Sequence, residues 1–594
     1  MVNRIAVIDR EICPKDKKRL KELTEQCMKV CPVNRAGKDC ITADKENFPV
    51  IDENLCIGCG FCIKISEKMG YHCINIVNLP HELKETPIHR FGINEFVLFR
   101  LPFPIKNEAV GIVGSNGLGK TTAIRILSGE LKPNLGQQTE VNISEIIKMF
   151  RGTELQTYLE NMEKNDIRTS YKPQRVDKIP NMFKGKVSTL LEKVDERKIV
   201  NELTKTFGIE EVLDRNVDQV SGGELQRIAI IASLAKDADI YYFDEPTSFL
   251  DVFQRMTIAK KIREFCKDRS LMIVDHDLAT LDFLADRIQI LYGVPGAYGV
   301  VSKPYGVRVG INTFLDGYIK EDNVRIRKSP ISFPSGLMEK GSSPEVLIFI
   351  EDIEKKFEDF GLEIKNCDIR KKEVLAVFGA NGLGKTTFAK ILAGEIKDYR
   401  GELSSKLKIS YKPQYIRTDF DGTVRELIKK FGDVEDENYK IEIIKPLELE
   451  KLMEKDVQNL SGGELQRVSI ATTLSQNVDL YIFDEPSAFL DVEQRLEISK
   501  LIGRITEVRE KSALVIDHDL LFLSQIGSRA MVFLGKSGKE GRVDGINSLR
   551  KGFNIFLREV GVTFRKDGQT GRPRANKLNS RLDAEQKEKG NYFS

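Results

Sequence analysis

Two segments of this 594-residue chain, GSNGLGKT and GANGLGKT, match the pattern G-x-x-x-x-G-K-[ST] of a phosphate-binding loop. Each follows an apolar run that predicts a strand and precedes TAIRIL or TFAKIL, which predicts a helix. The glycines let backbone N–H groups curl around phosphates, and a helix N-terminus favours the anion. The predicted ATP contacts are Gly114, Asn116, Gly117, Gly119, Lys120, Thr121, Thr122, Gly379, Asn381, Gly382, Gly384, Lys385, Thr386 and Thr387.

Two acids follow each of the apolar runs IYYF and LYIF. A strand that is apolar on both faces belongs in the middle of a parallel sheet, and its carboxyl end faces the ligand. Adjacent buried carboxylates are costly unless a cation or a proton compensates them. We therefore predict that Asp244 and Asp484 hold Mg²⁺, together with Thr121 and Thr386 of the loops. Glu245 and Glu485 are predicted to position and polarise the attacking water.

His276 and His518 follow the VD and ID that end two further apolar runs. A lone histidine is usually structural, but the chain has only five and these two share a repeat position. We therefore predict contacts to the γ-phosphate. Gln174 and Gln414 of the two SYKPQ segments are predicted to meet Mg²⁺ or water, with a surface turn as the alternative.

These residues belong to an internal repeat, because each phosphate-binding loop is followed by SYKPQ, SGGELQR, FDEP and DHD in the same order. The first copy is about 25 residues longer between its loop and SGGELQR. The extra residues are assigned to Thr139 to Thr169, whose pattern predicts two amphipathic helices.

SGGELQR resembles the signature of ABC-type ATPases. That resemblance implies head-to-tail halves, with each ATP held by the loop of one half and the signature of the other. It also implies that Asp251 and Asp491 lie where the halves touch. The implied signature contacts are Ser221, Gly222, Gly223, Ser461, Gly462 and Gly463. The candidates for stacking on adenine are Phe91, Phe96, Phe357 and Phe360, for which core packing is the alternative.

Eight of the ten cysteines lie within the first 73 residues, which indicates metal rather than disulfides in a cytosolic chain. Bacterial-type ferredoxins bind clusters with C-x₂-C-x₂-C-x₃-C-P, whose last cysteine serves the other cluster. On that pattern one [4Fe–4S] cluster is predicted on Cys31, Cys56, Cys59 and Cys62. Zinc is disfavoured by the tight spacing.

A second cluster has an irregular set of candidates, Cys13, Cys27, Cys40 and Cys73. Lys18 and Ser66 stand near positions where the ferredoxin pattern expects cysteine. A complete second cluster, a three-ligand or labile cluster, and an empty half-domain all remain open. Cys266 and Cys367 are isolated and are predicted to be inert core thiols.

The combination of a cysteine-rich front and twin cassettes resembles the RNase L inhibitor family, the ribosome-recycling ATPases of archaea and eukaryotes. The likeness extends over segments such as CPVNRAGKDC, FRGTELQ, YGVPGAYG and VTFRKDGQTGRPRANK. A transporter subunit would not need the cysteines, and an SMC-type ATPase would carry a long coiled coil.

The resemblance implies that ATP-driven closure splits ribosomes while the iron–sulfur domain moves against the small subunit. Its implied partners are the ribosome, chiefly the small subunit and its rRNA, and a release factor or Pelota-like rescue factor. A monomer is expected, and the short loops favour an archaeal source. The alternatives are an anti-association or initiation scaffold on the small subunit and an ATP-fuelled iron–sulfur redox protein.

The predicted fold is α/β and multidomain, with two ABC-type ATPase domains behind a small α+β ferredoxin-like domain. The boundaries are 1–80 for the iron–sulfur domain, 81–305 for the first ATPase domain, 306–340 for a hinge, 341–540 for the second ATPase domain and 541–594 for a C-terminal hinge segment. Basic hinge residues that could meet rRNA phosphates or pair with acids are Arg308, Arg325, Arg327, Arg565, Arg572 and Arg574.

Composition and net charge limit the expected partners and location. The net charge of +3 is too small to indicate nucleic acid by itself, although the C-terminal FRKDGQTGRPRANKLNSR is locally basic. That segment predicts either a solvated tail or a phosphate-contacting arm. No run approaches the ~20 apolar residues of a membrane span, and IAVI near the N-terminus predicts a buried strand, so a cytoplasmic location is expected.

Overall fold

The computed structural model describes residues 4–80, 83, 85–137, 141–248, 250–331, 333, 345–414, 420–577 and 579–594. Two compact units divide the chain, one formed by residues 1–249 and 258–330 and the other by 250–257 and 331–594. In the described ranges, no helix combines the length and the apolar character that crossing a membrane requires.

The cysteine-rich front of the first unit is a small α+β layer. The N-terminal apolar run forms Arg4–Ile8, which pairs antiparallel with Ile74–Asn78 as the sequence predicts. Buried cysteines and Leu20, Leu23 and Ile41 make its core. The remaining elements are the ribbon Ile41–Ala43 with Pro49–Ile51 and the helices Lys17–Val30, Pro32–Arg35 and Phe61–Lys68.

This front packs directly on the ATPase part of the same unit. Asn94 is buried, and its side chain accepts from the backbone N–H of Ile51 at 2.8 Å and donates to the Ile51 carbonyl at 2.9 Å. Arg90 forms a bidentate ion pair with Glu53. The boundary at residue 80 therefore separates two parts of one compact unit.

The ATPase part of the first unit is a sheet with a parallel centre. The order across the sheet is His89–Arg90, Val97–Phe99, Tyr298–Val301, Arg287–Val294, Ala109–Val113, Ser270–Val274, Ile240–Asp244 and Thr169–Lys172, with Tyr305–Gly306 beside Arg287–Val294. The strand that ends at Asp244 is buried along its whole length between parallel neighbours, as predicted. Helices cover the sheet at Lys120–Leu127, Ile143–Met149, Glu154–Glu163, Ile179–Met182, Val187–Val194, Val200–Thr206, Gly222–Ala235, Leu278–Leu284 and Val307–Asp316. The chain also forms the helix Val252–Phe265, whose residues up to 257 belong to the second unit.

The insertion contains the two helices that its pattern predicts, Ile143–Met149 and Glu154–Glu163, whereas Thr139 lies outside the described residues. The hinge assigned to 306–340 differs, because Tyr305–Gly306 joins the first sheet and Val307–Asp316 packs on it. The chain then forms the short hairpin of Tyr318–Ile319 and Val324–Arg325.

The second unit repeats the sheet with a parallel centre and adds a mainly antiparallel one. The parallel sheet runs Ile409–Lys412, Leu480–Asp484, Ser512–Ile516, Val374–Phe378, Arg529–Val532 and Ile546–Ser548. The other runs Cys367–Arg370, Val346–Lys356, Gly361–Ile364, Glu540–Val543 and Leu534–Lys536, with Arg400–Leu403 beside Val346–Lys356. Helices lie at Lys385–Leu392, Val424–Lys429, Glu437–Tyr439, Gly462–Leu474, Val492–Val508, Leu520–Ile526, Leu549–Val560 and Arg581–Glu588.

The C-terminal boundary and tail need correction. Residue 541 lies inside the strand Glu540–Val543, which pairs in parallel with Gly361–Ile364, so a division there would cut a sheet. The basic segment is neither a loose tail nor an extended arm. It folds as the ribbon of Phe564–Lys566 and Pro573–Ala575, with Arg572 completely buried.

Two glycines let a strand pass directly beneath each phosphate-binding loop. A Cβ on Gly299 would collide with the carbonyl oxygen of Leu118, and one on Gly541 would collide with that of Leu383. Both leucines belong to the loops, so each loop rests on a backbone that has no side chain at the point of contact.

We predict that Gly541→Ala lowers the free energy of unfolding by about 1–3 kcal/mol and weakens ATP binding, because the new methyl group must displace a backbone carbonyl. Thermal unfolding and equilibrium binding of ATP would measure both effects. Gly361→Ala is the matched control, since its Cβ would meet open space on the neighbouring strand. Equal behaviour of the two variants would contradict the role assigned to Gly541.

Candidate functional site: two nucleotide centres and a cysteine-lined cavity

Each phosphate-binding loop joins a buried strand to a helix, as the sequence predicts. The loops connect Ala109–Val113 to Lys120–Leu127 and Val374–Phe378 to Lys385–Leu392. The last loop glycine, Gly119 or Gly384, has a φ of 88° or 90°, a left-handed conformation that favours glycine. Thr121, Thr122, Thr386 and Thr387 lie in the first turns of the helices.

The loop lysines bridge the backbone of their own loops. Lys120 Nζ donates to the carbonyl oxygens of Gly114 at 2.8 Å and Ser115 at 2.9 Å, and lies 3.5 Å from Asn116 Oδ1. Lys385 makes the equivalent pair of bonds in the second loop, at 2.8 and 2.6 Å. Both ammonium groups are therefore inside the curve of the loop, where phosphate oxygens would lie.

The first acid of each pair is buried at the end of its strand. Asp244 is fully buried, and within the described part of the chain neither of its carboxylate oxygens makes a hydrogen bond of regular geometry. Burial raises its pKa to about 6 and also raises that of Asp484. Thr386 Oγ1 donates to Asp484 Oδ2 at 2.7 Å, so the two predicted Mg²⁺ ligands of that half are adjacent. Buried carboxylate oxygens with few donors fit a cation.

The second acid of each pair is turned away from the first. Glu245 and Glu485 have φ values of 48° and 50°, which are uncommon for a residue with a side chain. Gln174 Nε2 donates to Glu245 Oε1 at 2.7 Å, and His276 Nε2 lies 3.3 Å from the same oxygen. Gln414 and His518 make the same contacts to Glu485 at the same distances.

These contacts keep the glutamates ionised. Burial alone would raise the pKa of Glu245, but His276, the charge of Lys120 and a hydrogen bond from Ser248 lower it to about 2. His518, Gln414 and Lys385 bring the pKa of Glu485 to about 2 in the same way. Both histidines and both glutamines thus lie at the carboxylates of Glu245 and Glu485, and Gln174 Oε1 also lies 3.4 Å from Thr121 Oγ1.

Each centre contains two further residues that the motifs did not predict. Lys172 is completely buried, and its Nζ donates to the carbonyl oxygens of Asp244 at 2.9 Å and Glu245 at 3.1 Å. Gln226 of the signature segment donates to the Glu245 carbonyl at 2.6 Å. Lys412 and Gln466 repeat these bonds in the second half. Burial lowers the pKa of Lys172 and of Lys412 to about 8.

Both signature segments open a helix with a capping box. The hydroxyl of Ser221 accepts from the backbone N–H of Glu224, whose carboxylate accepts from the Ser221 backbone. Ser461 and Glu464 do the same. Gly222, Gly223, Gly462 and Gly463 begin the helices and leave their first N–H groups pointing outward.

The four candidate aromatics divide into two kinds. A Cβ on Gly119 would meet the Phe96 ring, and one on Gly384 would meet the Phe360 ring, so these rings lie against the phosphate-binding loops. Phe91 and Phe357 instead expose 51% and 47% of their surface, with His89 in an edge contact with the Phe91 ring and Lys355 over the Phe357 ring. The structure thus brings one ring of each pair to the loop.

The cysteine-rich front contains a cavity lined by Cys31, Cys40, Cys56, Cys59 and Cys62. Cys40 was predicted with the second set, but the ribbon that begins at Ile41 places it beside the first. No group of three or more His, Cys, Asp or Glu side chains in the described ranges could hold a single metal ion. Thiolates bound to the separate irons of a cubane stand farther apart than the ligands of one ion, so the cavity fits a cluster better.

The isolated thiols and basic hinge residues have ordinary structural positions. Cys266 and Cys367 are buried, as predicted. Arg327 donates to the carbonyls of Phe314 and Leu315, Arg565 to Asn576, and Arg574 lies 3.5 Å from Asp567. Arg572 is buried and inaccessible to phosphate, whereas Arg308 and Arg325 are exposed.

The chain is similar to known proteins over nearly the whole of its own length and of theirs. Residues 104–248 and 362–488 match the family model described as ABC transporter. An uncharacterised ABC transporter ATP-binding protein of Methanocaldococcus jannaschii is 48% identical over 99% of this chain and 97% of its own length. The translation initiation factor RLI1 of Saccharomyces cerevisiae is 42% identical over 100% and 98%.

Two solved structures are similar throughout their own length. One, described as RNase-L Inhibitor, has 47% identity, a TM-score of 0.82 and covers 86% of this chain. The other, from a model of ribosome-bound archaeal Pelota and ABCE1, has 46% identity, a TM-score of 0.91 and covers 100% of both chains.

The buried state of Asp244 predicts a pH-dependent effect of removing its charge. Its folded pKa of about 6 exceeds the ordinary 3.8, so the folded state favours the protonated carboxyl. The resulting contribution to the free energy of unfolding is fully present below pH 3.8 and is lost as the pH rises through 6. In Mg²⁺-free protein, Asp244→Asn should raise the free energy of unfolding at pH 7 by up to about 3 kcal/mol and by little at pH 4.

Denaturant unfolding at the two pH values would measure this difference. Asp268→Asn, which removes an exposed carboxylate on the same unit, should change stability little at either pH. If Asp244→Asn instead lowered the free energy of unfolding at pH 7 without Mg²⁺, the ionised carboxylate would have a stabilising partner inside the protein and the prediction would be wrong.

Proposed function

Because this chain belongs to the RNase L inhibitor family, which includes RLI1 and ABCE1, we propose that it is an ATP-driven ribosome recycling factor. The observation that carries the proposal is the match over the whole of both chains to ABCE1 in the ribosome-bound Pelota complex. The proposed partners are the ribosome, chiefly the small subunit and its rRNA, and a release factor or Pelota-like factor. We also propose a cytoplasmic monomer.

The proposed reaction is hydrolysis of ATP to ADP and phosphate at both centres. The loop N–H groups and Lys120 or Lys385 bind the phosphates, while Asp244 with Thr121, and Asp484 with Thr386, would hold Mg²⁺. The ion, when bound, would neutralise charge on the β- and γ-phosphates. Glu245 and Glu485 orient the attacking water through their ionised carboxylates.

The low pKa of the glutamates limits what they can do chemically. A carboxylate whose pKa is about 2 is a weak base, so we infer that it positions and polarises water more than it removes a proton. His276 and His518 fix that carboxylate from one side and Gln174 and Gln414 from the other. This arrangement keeps the water-binding oxygen in place before the γ-phosphate arrives.

ATP binding is proposed to drive the mechanical step. We infer that the signature segments beginning at Ser221 and Ser461 close on the γ-phosphates, each on the nucleotide held by the opposite loop. Moving an open–closed equilibrium from 1:99 to 99:1 requires about 5.5 kcal/mol of preference for the closed form. Each of the two bound nucleotides would contact both halves of the chain, so two sets of contacts would favour the closed form.

The cysteine-rich front is proposed to be a ferredoxin-like iron–sulfur domain. Cys31, Cys56, Cys59 and Cys62 would hold one [4Fe–4S] cluster in the cysteine-lined cavity. The cluster, when bound, would cross-link the helix that ends at Val30, the segment from Leu55 and the helix from Phe61. We infer a rigid domain suited to transmitting force to the small subunit.

The test is a gradient assay of ribosomes with ATP, a release factor and the full chain. We expect wild-type protein to convert ribosomes to subunits over many turnovers. The Glu245→Gln, Glu485→Gln double variant should lose ATP hydrolysis by about 100-fold or more while still binding ATP. It should therefore remain bound to the small subunit after at most one round.

Glu264→Gln provides the control, because that exposed glutamate lies on the same unit away from the nucleotide. Intact ribosomes after incubation with active ATPase would contradict recycling. Subunits that fail to rejoin, without splitting of intact ribosomes, would instead indicate an anti-association scaffold.

A further inference from the structure

The eight N-terminal cysteines do not divide into two sets of four. Five of them line the cysteine-lined cavity, including Cys40. The other three are Cys13, Cys27 and Cys73, which expose 3%, 0% and 1% of their surface. A domain with two equal clusters would place four thiols in each set, so one set has a spare thiol and the other lacks one.

Ser66 occupies the side of the smaller set where a fourth thiol would be expected. It is completely buried on the helix Phe61–Lys68, and its hydroxyl lies 3.4 Å from Cys73 Sγ. The Ser66 hydroxyl also donates to the carbonyl of Tyr71. Its proton is therefore directed to a backbone oxygen while the hydroxyl oxygen faces the thiol.

The backbone holds Cys73 firmly in this position. Asp9 N–H donates to the Cys73 carbonyl at 2.8 Å, and Tyr71 N–H donates to the Ser66 carbonyl at 2.8 Å. Cys73 thus sits where the segment after the helix enters the strand Ile74–Asn78. Its thiol belongs to the same buried cluster as that of Cys13.

Cys27 connects the smaller set to the cysteine-lined cavity. It lies one helical turn before Cys31, and its Sγ is 3.8 Å from the carbonyl of Cys62. Lys18, at the other position where the pattern expects cysteine, is exposed on the first turn of the same helix. The described residues thus bring three thiols and one hydroxyl together beside the larger set.

We propose that Cys13, Cys27 and Cys73 bind a second iron–sulfur cluster through three thiolates, so that one iron has no thiolate ligand. This inference rests on the proposal that the front of the chain is an iron–sulfur domain. The complete cluster occupies the cysteine-lined cavity, where Cys40 is an additional thiol that ligation does not require. The chain therefore carries one closed cluster and one with a labile corner.

A labile corner has a defined redox consequence. A one-electron oxidant converts [4Fe–4S]²⁺ to [3Fe–4S]⁺ with release of one Fe²⁺, and the charge balances because one electron leaves the cluster. All four sulfides and the three thiolates remain bound. The cluster with four thiolates has no iron that can leave without breaking an Fe–S(Cys) bond.

The experiment treats the anaerobically purified full chain with ferricyanide, one electron per cluster. We expect about eight irons and eight sulfides per chain before oxidation. Afterwards we expect about one iron fewer, unchanged sulfide, and one three-iron EPR signal per chain. Iron and sulfide assays and EPR are independent of ATPase activity.

Substitutions locate the signal. Ser66→Cys should supply the fourth thiolate and abolish the three-iron signal while iron remains about eight. Cys73→Ser should remove the signal together with the second cluster and lower the iron content to about four. Cys40→Ser should leave the signal and the iron content unchanged, and it keeps the test decisive if Ser66→Cys fails to fold.

Several outcomes would overturn the inference. About four irons and no three-iron signal would mean that the smaller set is empty, or filled by zinc if that metal is found. About eight irons with no signal after oxidation would mean that a fourth ligand exists. Loss of the signal in Cys40→Ser but not in Cys73→Ser would place the labile corner in the cysteine-lined cavity. A chain without iron would contradict the iron–sulfur domain itself.

Discussion

The proposed chemistry of each half depends on one constraint: two adjacent acids at the end of a buried strand must have opposite electrostatic surroundings. Asp244 is fully buried, with no regular hydrogen bond to its carboxylate among the described residues, and burial raises its pKa to about 6, whereas the pKa of Glu245 falls to about 2. Glu245 follows the strand with a left-handed backbone, and its carboxylate lies beside Gln174 and His276. One carboxylate is thereby left for a cation and the other for water.

The backbone that carries this turn is held by two further residues. Lys172 and Gln226 both donate to the Glu245 carbonyl, so its peptide is fixed from the neighbouring strand and from the signature helix. The helix that begins at Gly222 is therefore bonded to Glu245 of its own half. A shift of that helix would alter the strained Glu245 peptide directly, because the hydrogen bond from Gln226 to its carbonyl is only 2.6 Å long.

Motifs revealed the side chains that face the ligand, but not those that support them from behind. The SYKPQ segments drew attention to Gln174, since glutamine in a loop can reach a ligand, whereas nothing in the motif singled out Lys172. Its signal was the alternation of the short strand Thr169–Lys172, which buries Ser170 and Lys172 on one face. A lysine on the buried face of a strand needs acceptors, and the carbonyls after Ile240–Asp244 provide them.

Cysteine spacing also had a limit, which Cys40 illustrates. The motif assigned Cys56, Cys59 and Cys62 to one set because their spacing is short and regular, and it added Cys31 because a proline follows it, but Cys40 lies outside any motif. Its place depends on the ribbon Ile41–Ala43 with Pro49–Ile51, a tertiary feature that no ligand pattern encodes. The C-terminal segment shows the same limit, since a basic composition did not reveal that Arg572 would be buried.

The difference between the halves follows from the insertion. Tyr158 of its second helix is buried against the first sheet, and a buried hydroxyl requires partners. Its hydroxyl donates to the Leu127 carbonyl and forms a hydrogen bond of 2.7 Å with the hydroxyl of Tyr242. Tyr242 lies two residues before Asp244 on the same strand. The equivalent strand position in the second half is Ile482, which packs in an apolar core. The insertion is thus built into the first nucleotide centre through a polar contact, so the two ATP sites have different mechanical surroundings despite nearly identical motifs.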